Sequence, residues 1–187
     1  MDAGKFCTAV FVDMAQAFDK VWIPGLIHKI RTLLPPEFHG VLESFLQERT
    51  FSVRCGSAYS SLREANAGVP QGSVLGPMLF QLYTSDMPTS DEVMTATYVD
   101  DTALVAVNKN PNTASRVLQE HLVFLEDWFK KWRFKINQQK STQITFTLKK
   151  RSCPRVKLNG GYVPVVNEVK YLGVHLDKRL CWKDHIN

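Results

Sequence analysis

The chain has 187 residues, 44% hydrophobic and 22% charged, with a formal net charge of +5. That mixture suits one globular domain, or part of a larger one, and excludes a disordered or fibrous chain. No apolar run approaches the roughly 20 residues that a membrane span needs, and acidic residues interrupt "MDAGKFCTAVFVDMA" too early for a secretory signal. An intracellular protein is expected.

In chain order, "CTAVFVDMA" predicts a strand running straight into Asp13. "PGLIHKIRTLL" predicts a helix with its apolar stripe at Leu26, Ile27, Ile30, Leu33 and Leu34, stopped by Pro35-Pro36. "HGVLESFLQER" repeats that spacing at Val41, Leu42, Phe45 and Leu46. "FSVRCGSAYSSLREANAG" reads as a two-stranded hairpin with a Gly-Ser turn, and "GPMLFQLYTSDMP" as a short helix with Pro77 in its first turn. "MTATYV" and "TALVAV" are strands flanking Asp100-Asp101. A long helix is predicted over 113–132, capped by Asn112, with His121, Trp128 and Trp132 on its apolar face as core residues. "QITFTL", "RVKL", "YVPVV" and "EVKYLGVHL" give short strands, with Asn159-Gly160 as a turn. The irregular alternation of strands and helices fits α+β better than a doubly wound sheet.

Charge is unevenly spread. Residues 1–127 carry a net −6 and residues 128–187 a net +11, so the C-terminal portion is a candidate surface for a polyanion or a solvated face that serves solubility. Cys7, Cys55, Cys153 and Cys181 are scattered and suggest neither a zinc site nor a disulfide framework.

Three features bear on chemistry: Asp13 at a strand end, "AGVPQGSVLGP" at 67–77, and Asp100-Asp101 between two strands. An aspartate pair alone fits a turn tip that bonds its own backbone. Aspartates converging from two strand ends repel each other unless a cation neutralises them. Two Mg²⁺ ions do so while clamping the attacking and leaving oxygens of a phosphoryl displacement. The glycine-rich segment either lets backbone approach a ligand or simply caps the next helix; it lacks the lysine of a P-loop.

Together, "FVDMAQAFDKVW", "GVPQGSVLGPMLF", "YVDD", "WRFKINQQKS" and "KYLGVHLD" resemble motifs A to E of reverse transcriptases, in that order. "AFDKVW" and "LGVHLDKRLCWKDHI" resemble the jockey-type non-LTR retrotransposon members in particular. The resemblance implies a polymerase palm of right-hand architecture, an antiparallel sheet packed on helices. Residues 1–177 would form the palm with its motif E hairpin, and 178–187 the start of a truncated thumb, with the fingers largely missing. It implies an RNA-directed DNA polymerase (a nucleotidyltransferase) that adds dNTPs to the 3′-hydroxyl of a DNA primer on an RNA template. Its cofactors would be two Mg²⁺ ions, for which Mn²⁺ can substitute. No membrane is implied. The implied location is the nucleus or a cytoplasmic ribonucleoprotein. The alternative of another class is an inactive, domesticated or truncated protein that only binds nucleic acid.

By resemblance, Asp13, Asp100 and Asp101 are the catalytic, metal-binding triad, with Asp13 and Asp100 bridging the ions and the Met14 carbonyl as a further ligand. Phe18 takes the place of the aromatic gate that excludes a 2′-hydroxyl; read without the resemblance, it is a core phenylalanine at a strand-to-helix junction, which Asp19 braces. Gln71 and Gly72 match positions against the incoming nucleotide, and Lys140 matches a lysine that reaches the triphosphate. Tyr171, Leu172, Gly173 and Val174 match the primer-holding hairpin, although by composition they form only a buried strand. Val99 departs from the family pattern, because non-LTR members more often carry Ala there; it puts a bulkier side chain beside the primer end.

Overall fold

The structure, a computed structural model, describes residues 4–181. The chain forms two compact units: Met1–Ala15 with Met87–Asn187, and Gln16–Asp86. The first unit opens with β1 (Phe6–Val12), a run of β-branched and aromatic residues suited to a pleated, buried surface. Five of its seven residues are buried, as a central strand requires.

The second unit starts with α1 (Ile23–Leu33), whose Pro24 sits in the first turn where its missing N–H costs nothing. The helix ends before Pro35-Pro36, as expected. Leu26 and Ile30 are fully buried, but Leu33 is exposed. α2 (His39–Leu46) follows, and of its predicted stripe only Leu46 is buried, with Val41 facing solvent. Its packing partners are α1 and the turn Pro36–Phe38, which together are too small to cover the whole face. The predicted hairpin forms, but in two short ladders. β2 (Thr50–Phe51) pairs β5 (Arg63–Glu64), and β3 (Arg54–Cys55) pairs β4 (Ala58–Tyr59) across Gly56-Ser57, all four strands exposed. α3 (Leu75–Thr84) packs on α1 through buried Leu79, Phe80 and Tyr83. Lys29, on α1 and 4% exposed, donates to the Tyr83 carbonyl and to Asp86, which ties the two helices together.

The chain then returns to the first unit. β6 (Val93–Tyr98) and β7 (Asp101–Asn108) form a hairpin, and β7 lies antiparallel on β1 from Phe6↔Asn108 to Val12↔Thr102. α4 (Pro111–Lys131) packs on β7 and β1. Its cap is Asn110, not the predicted Asn112: Pro111 occupies the first helical position, so the residue before it accepts the Asn112 N–H at 2.9 Å. Trp128 and Trp132 are core residues, as their spacing predicts, and Trp128 stacks on Phe134 at 5.3 Å.

β8 (Thr142–Phe146) completes a four-stranded antiparallel sheet in the order β6-β7-β1-β8. Gln143, fully buried within it, has its amide satisfied by the Thr8 hydroxyl, the Pro154 carbonyl and the Val156 N–H. These bonds pin the 154–156 segment to the sheet at no desolvation penalty. β9 (Lys157–Leu158) and β10 (Gly161–Tyr162) meet at the expected Asn159-Gly160 turn. β11 (Glu168–Tyr171) and β12 (Val174–Asp177) form a hairpin closed by Leu172 and Gly173, both at positive φ, the pattern of a type I′ turn. Most of the segment expected to begin a thumb, 182–187, lies outside the described residues. Among the described residues no helix is long and apolar enough to cross a membrane.

Candidate active site

Strand parity explains how the two aspartate motifs come together. Successive β1 side chains alternate between faces, so Phe6, Thr8, Val10 and Val12 share one face, and Phe6 clusters there with Ala114 of α4. Cys7, Ala9, Phe11 and then Asp13 belong to the other. Because Phe11 is opposite Ala103 and Val12 opposite Thr102, the next step of the register sets Asp13 against Asp101. Both carboxylates therefore stand at one end of the central strand pair, on the side away from α4.

Asp101 is also the first residue of β7, paired with Tyr98 where the β6–β7 hairpin closes. Val99 and Asp100 form a two-residue tip in which Val99 alone has positive φ (+58°), resembling a II′ turn. A β-branched residue in that region is strained by roughly 1–3 kcal/mol. The ladder on either side holds the tip in that shape.

The Asp13 backbone is clamped from the opposite side. Its N–H donates to the Ser141 hydroxyl at 3.1 Å, and its carbonyl accepts the Asn137 N–H at 2.9 Å. The Ser141 hydroxyl, with no exposure, in turn donates a hydrogen bond to the Asn137 carbonyl at 2.9 Å. Met14 bridges to Ile136, but the flanking residues make the bonds, with the Ala15 N–H donating to the Lys135 carbonyl. The Met14 carbonyl is thus directed away from that segment, toward the β7 side. Ser141→Ala leaves the Asp13 N–H without its partner in a buried place, and we expect a loss of about 1–3 kcal/mol in urea denaturation.

Asp13, Asp101, Lys140 and Tyr171 line one open cleft of about 310 Å³, joined by Glu168 and Lys170. Tyr171 leans on Phe11 with ring centroids 5.1 Å apart. Burial, then the charges of Asp100 and Asp13, push the Asp101 carboxyl above the usual carboxylate range. Burial and then Asp101 raise the Tyr171 hydroxyl as well. The carboxylates thus sit in one another's negative field. Asp100, at the exposed tip, contributes to that field without lining the cleft. Leu172 and Gly173 are exposed in the turn beyond Tyr171, and Val174 is half-buried.

Among the described residues no three His, Cys, Asp or Glu side chains converge closely enough to cage a metal ion unaided. The donor set still fits Mg²⁺, which takes one or two carboxylates and fills its remaining positions with water and substrate phosphates. Hard oxygen donors in mutual repulsion, beside an open cleft, meet that requirement.

Phe18, Gln71 and Gly72 belong to the second unit. Phe18 is half-buried and stacks on Phe80 at 4.7 Å and 20°. The Val69 N–H donates to the Phe18 carbonyl and the Gly68 N–H to the Val21 carbonyl, both at 2.9 Å. The Gln71 amide donates to Asp19 at 2.8 Å, so Asp19 does brace this junction. The two motifs nearest these residues, "AFDKVW" and "GVPQGS", are therefore bonded to each other. Neither that bonding nor the Ser141–Asn137 clamp is legible in the sequence. Ser141 directly follows Lys140, but only the pairing of β1 with β8 shows that it meets Asp13, 128 residues away.

The chain matches the family described as Reverse transcriptase (RNA-dependent DNA polymerase) over residues 1–176. It is 42% identical to the RNA-directed DNA polymerase from mobile element jockey of Drosophila melanogaster, across 100% of this chain and 21% of that protein. It is 44% identical to the probable RNA-directed DNA polymerase from transposon BS of the same organism, across 99% of this chain and 22% of the other. The chain thus spans about a fifth of the length of these curated relatives. A solved structure of telomerase from Candida tropicalis in complex with a fragment of telomeric RNA shares the fold, with a TM-score of 0.65 at 14% identity over 92% of this chain and 29% of that one. The fold is thus the polymerase palm, and the chain belongs to the reverse transcriptase family.

Proposed function

We propose that this chain is the palm of an RNA-directed DNA polymerase, extending a DNA primer with deoxynucleotides on an RNA template. The observation that carries the reading is the register of β1 and β7, which sets Asp13 against Asp101 beside an open cleft. Asp13, Asp100 and Asp101, with the Met14 carbonyl, would hold two Mg²⁺ ions. When bound, such ions supply charge neutralisation for in-line phosphoryl transfer.

The chain's own residues position and discriminate. The Ser141 and Asn137 bonds fix the Asp13 backbone, so its carboxylate needs little reorganisation as charge develops. Lys140, exposed on the cleft, takes the triphosphate end of the nucleotide and offsets the charge of the leaving pyrophosphate. Tyr171 and the turn that follows it support the primer end. Phe18 takes the sugar, and the stack on Phe80 limits how far its ring can retreat from a 2′-hydroxyl.

The test is primer extension on an RNA template, by the chain alone and by the chain set into the flanking sequence of the jockey relative. Extension with dNTPs that stops in EDTA is expected. Phe18→Ala should raise incorporation of NTPs relative to dNTPs by about 10–100-fold, since one steric clash in a pocket is worth roughly 1–3 kcal/mol. Nucleic-acid binding without extension in either format would leave only the binding-protein reading standing.

A further inference from the structure

We propose that the end of the sheet opposite Asp13 and Asp101 is a second nucleic-acid site, which holds a phosphodiester backbone. This goes beyond the polymerase reading, and its test does not depend on catalysis.

β1 begins at Phe6, where β7 and β8 end, with Phe6 paired to Asn108 and Cys7 to Phe146. The segments leaving those two strands carry Lys109 on one side and Lys149, Lys150 and Arg151 on the other. They meet around a hollow of about 390 Å³, lined by Phe6, Lys109, Asn110, Asn112, Lys149 and Arg151 along with Pro111. Among the described residues no acidic side chain lines it. Lys149 is held in place: its ammonium donates to the Gly4 carbonyl at 2.8 Å and lies 4.7 Å from the centre of the Phe6 ring. Lys109, Lys150 and Arg151 are exposed, and among the described residues none forms an ion pair.

Cations kept for solubility are usually interspersed with anions. Three cations lining one hollow, with Lys150 beside them in sequence and no carboxylate among the described lining residues, raise the local potential instead, and favour a polyanion. The hollow offers charge and amide side chains, with Phe6 buried beneath. It therefore suits phosphates rather than stacked bases, and a site that reads no sequence. Seven residues of β1 separate it from Asp13, about 23 Å at roughly 3.3 Å per residue, so both ends of the sheet can be occupied at once. It also accounts for part of the +11 charge of residues 128–187.

The experiment is equilibrium binding of a fluorescent 20-nucleotide RNA and its DNA counterpart to the full chain in EDTA, over a range of salt. Lys109→Gln/Lys150→Gln/Arg151→Gln should weaken both by 10-fold or more at 0.15 M salt, with thermal stability unchanged. The slope of log affinity against log salt should fall by about 2–3, roughly 0.7–0.9 for each phosphate that the variant no longer neutralises. The triple variant Lys130→Gln/Lys131→Gln/Lys135→Gln removes the same charge from the other end of the sheet, where the Lys135 carbonyl meets Ala15, and should change binding less than three-fold. Equal losses in the two triples would reduce the effect to net charge and overturn the site. Unchanged binding in the first triple would overturn it too, and would make an acidic protein segment the better occupant. A loss for RNA alone, with DNA unaffected, would overturn recognition through the shared backbone. Binding is read in EDTA and without dNTPs, so failed extension would not count against this site.

Discussion

Asp13→Asn should lower the rate of dNTP addition by about 10³-fold or more at saturating primer–template, a barrier increase of roughly 4 kcal/mol at 1.36 kcal/mol per decade. Asparagine keeps the shape of the side chain and leaves the backbone bonds to Ser141 and Asn137 in place, so the fold should survive and the loss should fall on the chemical step. Asp100→Asn should behave alike. Asp101→Asn adds a sign that a merely structural aspartate lacks. The Asp101 carboxyl is raised by burial and by the charges of Asp100 and Asp13, so the folded chain holds that proton more tightly than the unfolded one. Stability from this group is therefore largest at acidic pH, and is lost as pH rises from the ordinary carboxylate range through the raised value. Removing the charge relieves the repulsion. Without divalent ions, Asp101→Asn should melt at the same temperature as the parent or higher at pH 7, while its extension rate falls. A variant that loses stability and keeps its rate would exclude the metal-holding role.

The elements that position this site were legible because their residues obey local rules. A β-branched run ending at Asp13, two apolar runs around Asp100-Asp101, and a 3.6-residue stripe ending in Trp128 and Trp132 each identify their element without reference to the rest of the chain. What the sequence leaves out is non-local. The pairing of Gln71 with Asp19 joins residues 52 apart, and that of Ser141 with Asp13 joins residues 128 apart; neither follows from any period or turn rule. The cap of α4 lies two residues before its expected place because Pro111 sets the start of the helix, and that signal was readable. The apolar face of α2 shows the opposite limit: a stripe at helical spacing says which face is able to bury, while the neighbours decide whether it does.

Gly68→Ala should destabilise the chain by about 3 kcal/mol and also blunt its choice between dNTPs and NTPs. Gly68 has φ +82°, a region where a Cβ costs roughly 1–2 kcal/mol. The added carbon would also lie 2.9 Å from three backbone atoms, the Asp19 Cα, the Asp19 carbonyl oxygen and the Phe18 carbonyl oxygen. Backbone cannot rotate aside as a side chain does, so the strand-to-helix junction must shift, at a further cost of roughly 1–3 kcal/mol. The shift displaces the two residues that matter there: Phe18, stacked on Phe80, and Asp19, which holds the Gln71 amide. Gly72 is the internal comparison. It has nearly the same φ, +79°, with open space around its Cβ position, so Gly72→Ala should cost only the conformational part, about 1–2 kcal/mol. Urea denaturation of the two variants measures the difference. If both lose the same stability, the close approach at Gly68 is not holding the junction; if Gly68→Ala keeps the parent's nucleotide preference, Phe18 does not depend on that junction for its aim.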